Sequence, residues 1–384
     1  MTTPPLLSPL TGRPLVPDSP HALRGEGGER WPVVDGVAFL RAGREALAAE
    51  ALAALDAGDR EAALVALLAD QDDWWRGPRA EPEALRALVR DAARLSLREA
   101  MGLLAWGPVG DYFAHRWSDP TYLAGLALVE AHWNAPASAF ELACGIGHHL
   151  RELDARGVRV SGGDVVFAKL WVARHWVVPG ADRLVCFDAA RPWPVAGVSH
   201  DLVACHDAFY FLEPKDEILA RLRAMLSPRG VLAVGHVHNA EWPNLSAGSA
   251  VTAERVAALF PGAAVYDDAE LTRALAEGRA PVAAEPGALR GVEAFSVADG
   301  PGLPTPARAV RGLLALPPEG AALRRNPLYG ADGGVRWPSE RYATEYGPRA
   351  TYPGRTDAPE AATMDAAVAG RALRRELVHL PERW

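Results

Sequence analysis

Hydrophobic and polar positions change rhythm twice along the chain. From about residue 41, alanine and leucine recur at helical spacing in "GREALAAEALAALDAGDREAALVALLADQDDWW". The pattern breaks at "DAGD", which predicts an antiparallel helix pair. "EPEALRALVRDAARLSLREAMGLLA" predicts another helix, and Gly110 to Trp133 an aromatic-rich one. From about 136 the rhythm becomes short apolar runs, "SAFELAC", "RVSGGDVV", "DRLVCFDA", "HDLVACHDAF" and "GVLAVGHVH", with helical stretches such as "DEILARLRAMLSP" between several of them. Such alternation predicts an α/β fold with a doubly wound parallel sheet.

The flanks read differently. Residues 1–40 are proline-rich and end in "RWPVVDGVAFL", a hairpin signal around Asp35-Gly36. Beyond about 300, "NPLYGADGGVRWPSERYATEYGPRATYPG" is dense in turn formers and aromatics, and no topology is predicted there before a final helical stretch. Four segments follow: 1–40, a small β-ribbon; 41–135, a helical region expected to act as a cap or oligomer surface; 136–300, the nucleotide-binding domain; and 301–384, an extension. No unit repeats at a fixed period, which argues against a solenoid.

Composition adds limits. The chain has 384 residues and a formal charge of −8, so no global basic field points to nucleic acid. Positive charge is almost all arginine, a bias expected of a GC-rich genome, and carries no functional weight. Cys144, Cys186 and Cys205 form no C-x-x-C pair and read as buried thiols. The start lacks a signal-peptide pattern, and no run reaches the roughly 18 apolar residues of a membrane span. A cytoplasmic protein with no membrane partner is the expectation.

Candidate chemistry centres on "AFELACGIGHHL", Ala139 to Leu150. A strand, a tight glycine turn and a helix start are the elements with which parallel sheets hold nucleotides. A dinucleotide fold would place Gly or Ala where Leu150 stands, which disfavours NAD and FAD. A nucleoside cofactor without phosphates instead needs carboxylates at successive strand ends. Asp164 lies 23 residues after Glu141 and closes the second strand, where it can accept both ribose hydroxyls. Asp188 closes the third strand, where it can accept from an adenine amino group while the Ala189 N–H meets a ring nitrogen.

With these residues in place, residues 138–240 resemble a class I S-adenosylmethionine-dependent methyltransferase of the small-molecule type. "ELACGIGHHL" is similar to the family's first motif, "GGDVV" to the acidic second, "CFDAARPWP" to the adenine motif and "HDLVACHDAFYFL" to the fourth. "LRAMLSPRGVLAVGHV" resembles its helix, turn and fifth strand. The resemblance implies a Rossmann-like fold, S-adenosylmethionine as cofactor and a small-molecule methyl acceptor. It implies further that Gly145 and Gly147 flank the methionine end, Glu141 orients the amino acid moiety, Asp164 holds the ribose and Asp188 selects adenine. Val165 and His206 would line the adenine and methyl-donor ends.

The N-terminal segment resembles a zinc-ribbon module found beside methyltransferases, but the positions of its four cysteines read Ser8, Thr11, Arg24 and Gly27. None supplies a thiolate, so no zinc is expected, and the RNA substrates of ribbon-bearing relatives are disfavoured here.

Methyl transfer from a sulfonium needs alignment and exclusion of water, and a base only when the nucleophile must lose a proton. His206 and His238 are the candidate bases. His236-x-His238 lacks an evident third ligand, so no metal is assigned. His148-His149 is expected to pack against the methionine end, and Tyr112 with His115-Arg116-Trp117 to belong to the core. Trp106, Trp117, Trp133 and Trp242 are candidates for an acceptor pocket. The reading is a small-molecule methyltransferase, with a homodimer through the helical region as a further expectation. The alternatives are an RNA base methyltransferase and a non-catalytic cofactor-binding or scaffold subunit.

Overall fold

The computed structural model describes residues 4–243 and 248–384. The first three residues of the N-terminal segment and residues 244–247 of the 136–300 segment lie outside the described residues.

Four short strands open the chain: β1 (Val16–Ser19), β2 (Ala22–Arg24), β3 (Arg30–Val34) and β4 (Val37–Phe39). Asp35 (φ 52°) and Gly36 (φ 74°) form the two-residue turn between β3 and β4, with Val34 opposite Val37. Two positive φ values are what a type I′ hairpin turn requires, and Asp-Gly supplies them at low cost. In the zinc-ribbon-like positions, Glu29 does the joining: Ser8 Oγ donates to its carboxylate at 2.7 Å, and Gly25 and Gly27 leave the space that carboxylate fills.

The central strands are β5 (Ser138–Leu142), β6 (Arg159–Asp164), β7 (Arg183–Cys186), β8 (His200–His206), β9 (Leu226–His238), β10 (Ala264–Asp267) and β11 (Ala294–Asp299). All eleven join one sheet, in the order β1-β2-β3-β4-β7-β6-β5-β8-β9-β11-β10. Strands β4 to β9 of this order pair in parallel, and β11 and β10 antiparallel. The ribbon is therefore the edge of the main sheet, joined by β4 pairing with β7. The turn expected at Pro228 to Gly230 lies within β9 instead, because Leu226 already pairs with His200 and the intervening residues shift the register.

Helices α1 (Glu45–Asp56) and α2 (Arg60–Ala69) form the predicted antiparallel pair, with Asp59 capping α2 through the Ala62 N–H. They are followed by α3 (Pro82–Asp91), α4 (Leu97–Leu103), α5 (Pro108–His115) and α6 (Pro120–Ala131). Every residue of α6 is buried, as expected of a helix that is apolar all round, and it packs on β9 and on the helix Asp268–Glu277. Its Glu130 carboxylate accepts the Arg311 N–H at 2.5 Å, which ties the extension to the core. The later helices are α7 (His148–Asp154), α8 (Phe167–Val172), α9 (Lys215–Ala224), α10 (Ala253–Leu259), α11 (Asp268–Glu277) and α12 (Glu340–Tyr346). No helix among the described residues is long and apolar enough to cross a membrane.

Candidate functional site

From β5 the chain winds outward through β6 and β7, and then returns to β8 and β9 on the other side of β5. The carboxyl ends of β5 and β8 thus flank a topological switch point, the place where open parallel sheets form a ligand crevice. A cavity of about 450 Å³ lies there, within the range of small-molecule and cofactor sites.

Seven of the eight predicted cofactor residues line this cavity: Glu141, Gly145, Asp164, Val165, Asp188, Ala189 and His206. Asp164, at the end of β6, accepts the Gly145 N–H at 3.0 Å and the Val166 N–H at 2.9 Å. One carboxylate thereby fixes the glycine turn and the start of the adjacent loop. Gly145 holds φ +55°, and a Cβ there would meet the Phe113 ring at 3.3 Å. Asp188 stands at the rim, where its Oδ1 also accepts the Ala190 N–H at 2.9 Å.

Gly147 is a correction. It caps α7 with φ +83°, and a Cβ would lie 2.8 Å from Val178 Cγ1. Glycine is needed there for left-handed backbone and close helix packing, and the residue does not face the cavity.

The methionine-end candidates are deeply buried. Glu141 Oε1 lies 3.2 Å from His149 Nδ1, while Oε2 has no partner. Burial raises the Glu141 carboxyl to about 7 and holds His149 near 3, so the pair is a close contact with a neutral imidazole and not a salt bridge. The His206 ring lies 4.2 Å from that of His149, and neither of its nitrogens has a partner. Two glycines make room for this pair: a Cβ on Gly125 would come 2.6 Å from His149 Nε2, and one on Gly235 2.4 Å from His206 Nδ1. His148 lines the cavity as well, its Nε2 donating to the Phe113 carbonyl at 3.0 Å.

The opposite wall is built on Asp207, which the sequence places beside His206 at the end of the fourth strand, and on residues it did not assign to the site. Asp207 follows β8 with φ +52°. Its Oδ2 accepts from Tyr112 Oη (2.7 Å) and Arg116 Nη1 (3.0 Å), and its Oδ1 from Tyr210 Oη (3.0 Å). Despite burial, the Arg116 guanidinium holds this carboxyl down at about 2. Tyr112 and Arg116, read from sequence as core, line the cavity, whereas His115 and Trp117 do not. From the unreadable C-terminal segment, α12 contributes Arg341, Tyr342, Glu345 and Tyr346. The Tyr342 and Tyr346 rings lie 4.6 Å apart, and Tyr346 stacks on Tyr112 at 6.3 Å. Turn-forming residues around α12 hid it, and only the adjacent "RYATEY" aromatics marked it.

Two further expectations are corrected. None of Trp106, Trp117, Trp133 and Trp242 lines the cavity; Trp106 and Trp117 are core and Trp242 is exposed. The tryptophan that does line it is Trp74, 5.7 Å from Phe211. His238 is also absent from the walls: it lies behind Tyr210, ring on ring at 3.7 Å.

The residues present fit S-adenosylmethionine. Glu141 Oε2, buried and unpartnered, is an acceptor lacking a donor such as an ammonium group. Two further acids stand at the ends of the next two strands, and Gly145 keeps side-chain atoms off the turn.

The family model described as a methyltransferase domain matches residues 140–234. Comparison with curated proteins returns no match. Among solved structures, the chain is similar to S-adenosylmethionine-bound CalS10, an amino pentose methyltransferase from Micromonospora echinaspora (29% identity, 32% of this chain and 52% of that one, TM-score 0.27). It is also similar to DesVI from Streptomyces venezuelae (24%, 32% and 53%, TM-score 0.27). A third is phosphoethanolamine N-methyltransferase 2 from Haemonchus contortus (19%, 45% and 46%, TM-score 0.35). The chain spans about half the length of each of these proteins. The stretch that matches the methyltransferase-domain family model, residues 140–234, runs from β5 into β9 and so contains the strand ends that flank the cavity.

Proposed function

We propose that the protein transfers the methyl group of S-adenosylmethionine to a small molecule bound between the strand ends and α12. The observation that carries this reading is the unpartnered Glu141 Oε2, set in one cavity with Asp164 and Asp188 from the two adjoining strand ends. When bound, the cofactor supplies a methyl carbon already activated by its sulfonium leaving group. Glu141 would take the amino group, Asp164 the ribose hydroxyls, and Asp188 with the Ala189 N–H the adenine edge. Val165 and His206 would pack along its two ends.

The acceptor would rest against Tyr112, Tyr210, Tyr342 and Tyr346, which exclude water and orient it. With His206 held near 3 by burial and Asp207 near 2, neither readily takes a proton at neutral pH. The base role expected for His206 is therefore not retained, nor that of His238 behind Tyr210. Alignment and desolvation carry the step, onto an O, N or C atom of the acceptor, and a proton on that atom is lost to solvent before binding or after transfer.

Calorimetric titration with S-adenosylmethionine and S-adenosylhomocysteine tests the reading. Micromolar binding is expected, weakened at least tenfold, or about 1.4 kcal/mol, in Glu141→Gln and in Asp188→Ala. No binding by the folded wild type would overturn the proposal. Binding without turnover of any acceptor would favour the scaffold alternative.

A further inference from the structure

At the tyrosine wall and behind it, β8 and β9 bring together side chains to which methyl transfer assigns no role. Asp207, directly after β8, and His236 and His238, on β9, offer a carboxylate oxygen and two imidazole nitrogens within 4.8 Å of one another. Both histidines are at least nine-tenths buried. Metal–ligand bonds of about 2.0–2.2 Å separate two ligand atoms by at most about 4.4 Å, so the set would close on one ion by a few tenths of an ångström.

The surroundings are built for this purpose. His236 Nδ1 donates to Asp268 Oδ2 at 2.9 Å, which leaves Nε2 as the lone-pair atom. Asp268 is 1% exposed. Its Oδ1 accepts from Ser296 Oγ at 2.7 Å, and its Oδ2 also accepts from Arg349 Nη1 at 3.2 Å. Ser296 Oγ in turn accepts the His236 backbone N–H at 3.2 Å. A carboxylate fixing the far nitrogen of a histidine is the outer support that ligating histidines nearly always have. The His238 ring is held flat against Tyr210, 10° from parallel.

The surroundings are also rich in carboxylates: Arg116 pairs with Asp119 and Asp207, Arg349 with Asp268 and Glu293, and His236 with Asp268.

We propose that Asp207, His236 and His238 bind one divalent transition-metal ion, of the zinc, iron(II) or manganese(II) class, immediately behind the acceptor wall. Two imidazoles and a carboxylate suit such ions and not Mg²⁺ or Ca²⁺, which prefer all-oxygen sets. Asp207 also receives Tyr112 and Tyr210, so an ion on it would set the polarity of the surface that meets the acceptor.

The site is independent of the cofactor reading, and its test does not require turnover. Tag-free protein would be stripped with a chelator and titrated with Zn²⁺ and with Co²⁺, metal content being measured after gel filtration. One ion per chain is expected, with a visible Co²⁺ ligand-field spectrum. Both should be lost in His236→Asn and His238→Gln, and Asp268→Asn should weaken binding by about 10–100-fold. Near-UV circular dichroism of each variant would establish that it is folded. No stoichiometric uptake by folded wild type would overturn the proposal, as would uptake unchanged in the His236→Asn/His238→Gln double variant. Either result would leave His236 and Asp268 as a purely structural pair.

Discussion

At the residue scale, the two glycines of "CGIG" show how one motif serves two purposes. Both have positive φ, but a side chain on Gly145 would meet Phe113 at the cavity wall, whereas one on Gly147 would strike Val178 behind α7. Left-handed backbone costs a non-glycine residue roughly 1–2 kcal/mol. Gly147→Ala should therefore lower stability in urea by about that amount or somewhat more, and leave cofactor affinity of the folded protein within twofold. Gly145→Ala should pay the same strain and also weaken S-adenosylmethionine binding, as calorimetry would show. The residue types at both positions were legible in the sequence; the direction in which each faces was not. The same holds for His206, whose position at a strand end was predicted, while its burial among Gly125, Gly235 and His149 depends on three distant segments.

At the element scale, the parallel strands and the α1–α2 pair follow from apolar periodicity and turn chemistry, because each buries a face defined by its own local spacing. Helix α12 does not: seven residues among turn formers have little helical preference, and the helix is held by Ser339 capping the Tyr342 N–H at 3.1 Å and by packing of Tyr342 and Tyr346 over the cavity. Its stacking on Tyr112 suggests how it meets an acceptor. Aromatic pairs contribute about 0.5–1.5 kcal/mol beyond area burial. Tyr346→Leu is accordingly expected to raise the acceptor KM about two- to tenfold with little change in cofactor affinity. Equal losses in acceptor and cofactor binding would place α12 in general support of the fold.

At the scale of the whole molecule, burial sets the response to pH. His115, His200 and His379 are held near 4, mainly by burial and secondarily by neighbouring arginines. Each is neutral when folded, so its contribution to stability is complete above about pH 6.5 and is lost as pH falls toward 4. Glu141, raised to about 7, and Asp119, raised to about 6, oppose this, since their contributions are lost as pH rises. His149, His206 and His238 are held down by burial as well, so the depressed histidines outnumber these two acids and stability is expected to fall between pH 6 and 5. Urea midpoints should fall over that range; a rise would show that the buried acids dominate. By itself, the sequence determined the alternating α/β core, the glycine turn and the acids at successive strand ends, because those features are local and their spacing carries them. Only the tertiary structure decided that the N-terminal ribbon extends the sheet, that α12 walls the cavity and that Asp207 meets His236 and His238. Each of these joins side chains far apart in the chain, and their meeting depends on how the elements pack and not on any local pattern.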